Sequence, residues 1–197
     1  MIKNNYLLKK NDKIGITCCS NGLSRSLQPK VEDLLGILTS LGLEPVCSST
    51  MYTDQQGFTS SPADRANELM EFFAEPSIRA IFDLSGGDLA NQLLDRLNYP
   101  IIRANPKPFF GYSDLTVILN ALYSQTQMPA FLYQLRNLVS SDGLFQQQAF
   151  CASLLEGKDN LFKFNYHFLK GASMSGIVVG GNIRCFLKLA DTEYFPD

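Results

Sequence analysis

The sequence predicts an α/β protein, a mostly parallel sheet flanked by helices. Apolar strand-like runs alternate with stretches of helical spacing, and glycines and serines sit where those runs end. With 197 residues, 45% of them hydrophobic and 18% charged, the chain is one generous domain or one domain plus part of another. Disordered and collagen-like classes drop out on that composition.

The elements follow in chain order. Ile14 to Cys18 is a short apolar run after a polar lead and reads as a buried strand. Leu27, Val31, Leu34, Leu35, Leu38 and Leu41 make one stripe along a helix that Gly42 stops. Pro45-Val46-Cys47 is a weak second strand. Ser61 and Pro62 supply an N-cap and first helical residue, and Ala66, Leu69, Met70 and Phe73 the apolar face that follows. Ile78 to Leu84 is a strand, Ser85-Gly86-Gly87-Asp88 a tight turn, and Leu89, Leu93, Leu94 and Leu97 a helix face. Pro108-Phe109-Phe110 is the next strand, Leu115, Ile118, Leu119 and Leu122 the next helix, and Ala130 to Tyr133 one more strand. Beyond about residue 156, Leu161 to Tyr166 reads as an alternating strand and Ile177-Val178-Val179 as a buried one. Gly180-Gly181-Asn182 then opens a short apolar helix from Ile183 to Leu189.

In a parallel sheet, ligands bind beyond the carboxyl ends of the strands, so the turns leaving strands carry the chemistry. Gly111-Tyr112-Ser113-Asp114 lies between an apolar strand and an apolar helix, where a nucleophile elbow exposes a serine hydroxyl. The helix start behind it offers free N–H groups to a developing oxyanion. Leu115 stands where such elbows usually have a second glycine, and an N-cap serine with Asp114 in the first turn fits the same spacing. Gly86-Gly87 allows close backbone approach and outward N–H groups, and equally a plain tight turn; it is neither a phosphate loop nor a dinucleotide fingerprint. Bases are scarce: His167 is the one histidine, flanked by Tyr166 and Phe168, and the glutamates read as solvated.

A net charge of −2 and no basic cluster argue against nucleic acid or an anionic membrane surface as the main partner. No apolar run approaches the ~20 residues of a membrane span, and the first ten residues lack the core of a signal peptide. A cytoplasmic protein is expected. The five cysteines form no CxxC pair, so neither a disulfide framework nor a zinc site is suggested, and Cys18-Cys19 reads as small apolar residues ending a strand.

Together these segments resemble the LD-carboxypeptidase family of serine peptidases, which includes the muramoyltetrapeptide carboxypeptidases and the microcin-C immunity peptidases. The resemblance rests on Ser60 to Leu69, on Ala80-Ile81-Phe82 leading into Ser85-Gly86-Gly87-Asp88, and on Leu93-Leu94-Asp95. It is strongest from Asn105 to Thr116, and Gly176 with Gly180-Gly181-Asn182 extends it. Asn105-Pro106-Lys107-Pro108 and the double glycine look closer to the microcin-immunity branch.

The resemblance implies an α/β nucleophile-elbow domain over residues 1–170, with residues 171–197 the beginning of a β-rich C-terminal domain that is otherwise absent. It implies a Ser-Glu-His triad, no metal, no cofactor, and hydrolysis of an amide near the carboxyl end of a small peptide or muropeptide. Ser113 would attack, and the backbone N–H groups of Gly87, Asp88 and Asp114 would hold the oxyanion. The family's glutamate and histidine lie beyond the Gly-Gly-Asn turn; Glu193 comes too early after it and His167 precedes it, so neither takes those roles and this chain is expected to lack both. Tyr133-Gln134 also departs from the family's Gly-Pro step. An exposed apolar edge over Gly176 to Leu189 is expected, with a homodimer as its cover. The alternative is a homologue that binds peptides or muropeptides without cutting them. A flavodoxin-like or amidotransferase-like domain is disfavoured by the missing phosphate loop and cysteine elbow.

Overall fold

The computed structural model describes residues 7–163, 165–173 and 175–196. Five strands form one parallel sheet: β1 (Lys13–Thr17), β2 (Glu44–Cys47), β3 (Ile78–Asp83), β4 (Phe109–Gly111) and β5 (Ala130–Leu132). Their order across the sheet is β2-β1-β3-β4-β5. The helices are α1 (Gln28–Ser40), α2 (Pro62–Ala74), α3 (Tyr99–Ala104), α4 (Thr116–Thr126), α5 (Gly143–Phe150) and α6 (Ile183–Phe186).

Parallel strands buried on both faces need apolar residues pointing both ways. In β4, Phe109 packs with Phe73 of α2 on one face, whereas Phe110 stacks between Phe82 and Phe131 on the other. The two cores divide accordingly. One gathers α2, α3 and α4 around Phe73, Phe109 and Ile118. The other gathers α1 and α5 around Ile14, Leu34, Phe82 and Phe150.

From β1 the chain steps to one edge, and from β3 it steps the other way through β4 to β5. That reversal between β1 and β3 is the switch point at which open α/β sheets place their ligand-binding turns, and here the turns after β1 and β3 are joined by a bridge between Asn21 and Gly86. Ser61 caps α2 as its sequence implies, its Oγ accepting from the Asp64 N–H at 3.2 Å with Pro62 in the first turn.

The later part of the chain differs from its reading. The face Leu89–Leu97 is a 3-10 helix over Ala90–Arg96, and α3 follows it, capped by Asn98. After β5 come a 3-10 turn (Leu135–Val139), α5 and a π turn (Cys151–Leu155), none of which the apolar spacing signalled. Neither late strand forms. Leu161 and Phe162 belong to a 3-10 turn, Phe164 lies outside the described residues, and residues 165 and 166 are in no strand. Ile177 and Val178 are 72% and 89% exposed and pair with no strand among the described residues. β-branched runs fit a sheet only where a neighbour supplies the ladder, and this stretch has none. The Ile183–Leu189 helix does form, as α6 and a 3-10 turn, and Cys185, Leu189 and Tyr194 enter the first core.

Candidate active site

Three turns meet at the carboxyl end of the sheet. The first leaves β4. A Cβ on Gly111 would stand 2.6 Å from Leu115 Cβ, so the strand bends back on its own helix more tightly than any side chain allows. Tyr112 stays extended, and Ser113 then takes φ 57° and opens the 3-10 turn that runs into α4. A left-handed serine costs about 1–2 kcal/mol and persists only where its surroundings impose it. The Ser113 side chain is half-buried, and its hydroxyl makes no hydrogen bond among the described residues.

The second turn leaves β3. Asp83 is fully buried and accepts from the Cys19 N–H at 2.6 Å, the Ser85 N–H at 2.7 Å and Ser85 Oγ at 2.6 Å. Burial pushes its carboxyl up, and these bonds pull against that shift. A Cβ on Gly86 would lie 3.9 Å from Ser113 Oγ, so the β3 turn touches the β4 turn at the serine itself. Gly87 has φ 135°, and a Cβ there would fall 2.1 Å from Asn21 Oδ1. That amide oxygen accepts the Asp88 N–H at 3.0 Å. The Asp88 donor expected for an oxyanion is therefore already engaged.

The third turn leaves β1 and ties the other two together. The Ser20 N–H donates to Ser85 Oγ at 3.0 Å, and Ser20 Oγ donates to Asp114 Oδ2 at 2.6 Å. Arg65, buried at the start of α2, holds this turn from beneath. Its Nη1 donates to the carbonyls of Cys19 and Ser20 at 2.6 and 3.0 Å, Nε to the Ser60 carbonyl at 3.0 Å, and Nη2 to Gln92 Oε1 at 2.8 Å. Asp114 is wholly buried and also accepts from the Ala90 N–H and Lys188 Nζ, both at 2.8 Å. Burial alone would raise its pKa; the bonds from Lys188, Ser20 and Ala90 outweigh that and hold it below the ordinary carboxylate range.

Gly180-Gly181-Asn182 docks on the first turns of α4. Asn120 exchanges two hydrogen bonds with Gly180 at 2.9 Å each, and Thr116 Oγ1 accepts the Asn182 N–H at 3.0 Å. Residues 14–133 match the family described as the LD-carboxypeptidase N-terminal domain. The chain belongs to the LD-carboxypeptidase family. Among relatives, the microcin C7 self-immunity protein MccF of Escherichia coli is 43% identical over 68% of this chain and 48% of its own length. A relative from Treponema pallidum is 27% identical over 96% of this chain, which spans 63% of that protein. Among solved structures, an MccF-like protein from Bacillus anthracis superposes with a TM-score of 0.81 at 27% identity, covering 97% of this chain and 65% of that one. A muramoyltetrapeptide carboxypeptidase from Oxalobacter formigenes reaches 0.72 at 21% identity over 94% and 62%, a likeness of fold. The chain thus spans less than two thirds of these LD-carboxypeptidase relatives.

Within this LD-carboxypeptidase chain, His167 sits on an exposed stretch, and Glu193 is exposed with its carbonyl accepting from Gln125. Cys18 and Cys19 are fully buried, and burial pushes both thiols well up, the behaviour of packing residues. Among the described residues no group of three His, Cys, Asp or Glu could hold a metal ion. Arg65, Thr116, Asn120 and Lys188 escaped the sequence reading. For two of them a signal exists, since Thr116 and Asn120 are polar four residues apart in the apolar first turns of the helix.

Proposed function

We propose that the chain carries the nucleophile half of a serine-type carboxypeptidase acting near the carboxyl end of a muropeptide or peptide-like substrate. The observation that supports it most is the left-handed Ser113 at the exit of β4, its hydroxyl beside Gly86 and without a partner among the described residues. In this reading Ser113 Oγ bonds the carbonyl carbon, the amide C–N bond breaks, and the amine leaves with a proton. Water then cleaves the acyl-enzyme. The N–H groups of Gly87 and Asp114 receive the oxyanion, and that of Asp88 joins them only where Asn21 gives way. Residues 171–197 open a C-terminal domain, and the base and its orienting carboxylate come from neither His167 nor Glu193.

A serine hydroxyl is a weak nucleophile without a positioned base. Losing the base costs a serine peptidase about 10⁶ in turnover, and oxyanion and binding contributions survive. The 197-residue chain is therefore expected to turn over a muramoyl tetrapeptide near the detection limit. Brisk Ser113-dependent cleavage would mean that the chain supplies its own base, and His167 would be the first to mutate.

The lone hydroxyl equally favours a second reading, a peptide- or muropeptide-binding homologue that does not cut. A fluorophosphonate probe with peptide mapping separates the two. A slow adduct on Ser113, lost in Ser113→Ala, is the expected result. No adduct, or one elsewhere on a folded chain, overturns the nucleophile assignment, and tetrapeptide binding then decides for the binding module.

A further inference from the structure

A buried carboxylate directly after the proposed nucleophile is an unfavourable neighbour for a developing oxyanion unless a cation balances it. Asp114 is that carboxylate. Its Oδ2 is met by Ser20 Oγ and the Ala90 N–H, both uncharged donors, and its Oδ1 by Lys188 Nζ at 2.8 Å. The same ammonium donates to the Asp88 carbonyl at 3.1 Å. One side chain from the 3-10 turn after α6 thus bridges the turns that leave β3 and β4, on either side of Ser113. The remaining charged and titratable groups near Asp114 are accounted for. Arg65 donates to the carbonyls of Cys19, Ser20 and Ser60 and to Gln92, not to Asp114. Its charge acts on Asp114 only through space, whereas Lys188 touches the carboxylate; the neutral Cys185 thiol also lies against Asp114. The Asp88 carboxylate is 4.0 Å from Lys188 and pairs with the exposed Arg184 at 2.9 Å.

We propose that Lys188 is a positioning residue for Ser113: it neutralises Asp114 and locks the β3 and β4 turns against each other. Its catalytic consequence rests on the nucleophile reading above, whereas the charge pairing stands without it. The other role open to Lys188 is to fasten α6 to the core, which would leave the serine turn unchanged when the lysine is removed.

The test uses the full chain and three variants, Lys188→Met, Lys188→Arg and, as a control on the preceding helix α6, Arg184→Met. Side-chain carboxyl NMR follows the Asp114 titration, amide shifts follow Gly87, Ser113 and Asp114, and fluorophosphonate labelling follows Ser113. In Lys188→Met the Asp114 pKa is expected to rise by at least one unit, the three amides to move, and labelling to slow at least tenfold. Lys188→Arg should restore most of each, and Arg184→Met, which touches Asp88 but not Asp114, should leave the Asp114 titration unmoved. A folded Lys188→Met chain with an unmoved Asp114 titration and unmoved amides overturns the proposal. If wild-type Ser113 is never labelled, the nucleophile reading falls while the titration still decides the part of Lys188. If Lys188→Met does not fold, Asp114→Asn with Lys188→Met is the deciding variant. Recovered folding supports neutralisation, because removing both charges relieves an unpaired buried one; failure to recover counts against it.

Discussion

Ser113 holds φ 57° although it carries a Cβ, and glycine alone adopts that region without penalty. Ser113→Gly is therefore expected to raise stability by about 0.5–1 kcal/mol in urea titration, whereas Ser113→Ala keeps the strain and gains nothing; both lose the probe adduct. Equal stabilities for the two variants would show that the turn is not strained. A second residue sets a pH dependence. Lys107 donates from its Nζ to the Phe72 carbonyl at 2.7 Å and to the Glu75 carbonyl, closing the end of α2. Burial lowers its pKa from 10.5 to about 8. Between those values the unfolded chain holds a proton that the folded chain has released, so this residue's contribution to stability grows as pH rises. The stability of wild type relative to Lys107→Met should increase from pH 8 toward pH 10 in urea titrations; a flat or falling difference would contradict it. Ser113 and Gly87 were legible in the sequence because glycine and serine at a strand's end report backbone geometry directly. Lys188 was not, since a lysine on a short helix reads as solvated and nothing local announces a carboxylate 74 residues away.

Through most of its length helix α4 is apolar but for a stripe at Thr116, Asn120 and Ser124, four residues apart and so on one face, with Gln125 and Thr126 polar at its end. That stripe receives the end of the chain: Thr116 and Asn120 hold the turn at Gly180 to Asn182, and Ser124 Oγ donates to the Tyr194 carbonyl at 3.1 Å. Asn120→Leu leaves the half-buried Gly180 N–H and carbonyl without that partner, a loss of about 1 kcal/mol, the lower end of the range for buried groups. Hydrogen exchange should quicken at Gly180 and through α6 while the amides of β1 keep their protection. Uniform acceleration would mean that the stripe supports the whole fold rather than this docking. The parallel sheet was readable because each strand and its helix differ in period. α3 carries a signal of its own, an Asn98 cap with Pro100 in the first turn. The strand expected at Ile177 to Val179 failed for a different reason: β-branched residues describe a suitable surface, and pairing requires an open neighbour that lies elsewhere in the chain.

Across the whole molecule, the side chains of Ile177, Val178, Ile183 and Leu187 stand largely uncovered, near the end of the chain that ties into the site. Contiguous apolar surface of a few hundred Å² commonly marks an interface. Sedimentation at rising concentration should show association, and Val178→Glu with Ile183→Glu should suppress it; a monomer at every concentration would rule that out. The order of the sheet places the serine turn beside the turns that leave β1 and β3, where the strand order reverses, a property of topology that strand and helix alternation alone foretold only as a class. The Asp114 carboxylate has a further consequence, for the order of folding. Its partners Ser20, Ala90 and Lys188 lie 94, 24 and 74 residues away along the chain. Contacts of such long sequence separation close late, after the loops between them have lost their freedom. A nascent chain emerging N-terminal end first can assemble β1 to β5 and still hold Asp114 unneutralised until residue 188 has left the ribosome. Maturation of the serine turn is thus timed by the arrival of residue 188, and a molecule stalled short of it would have the architecture without the centre.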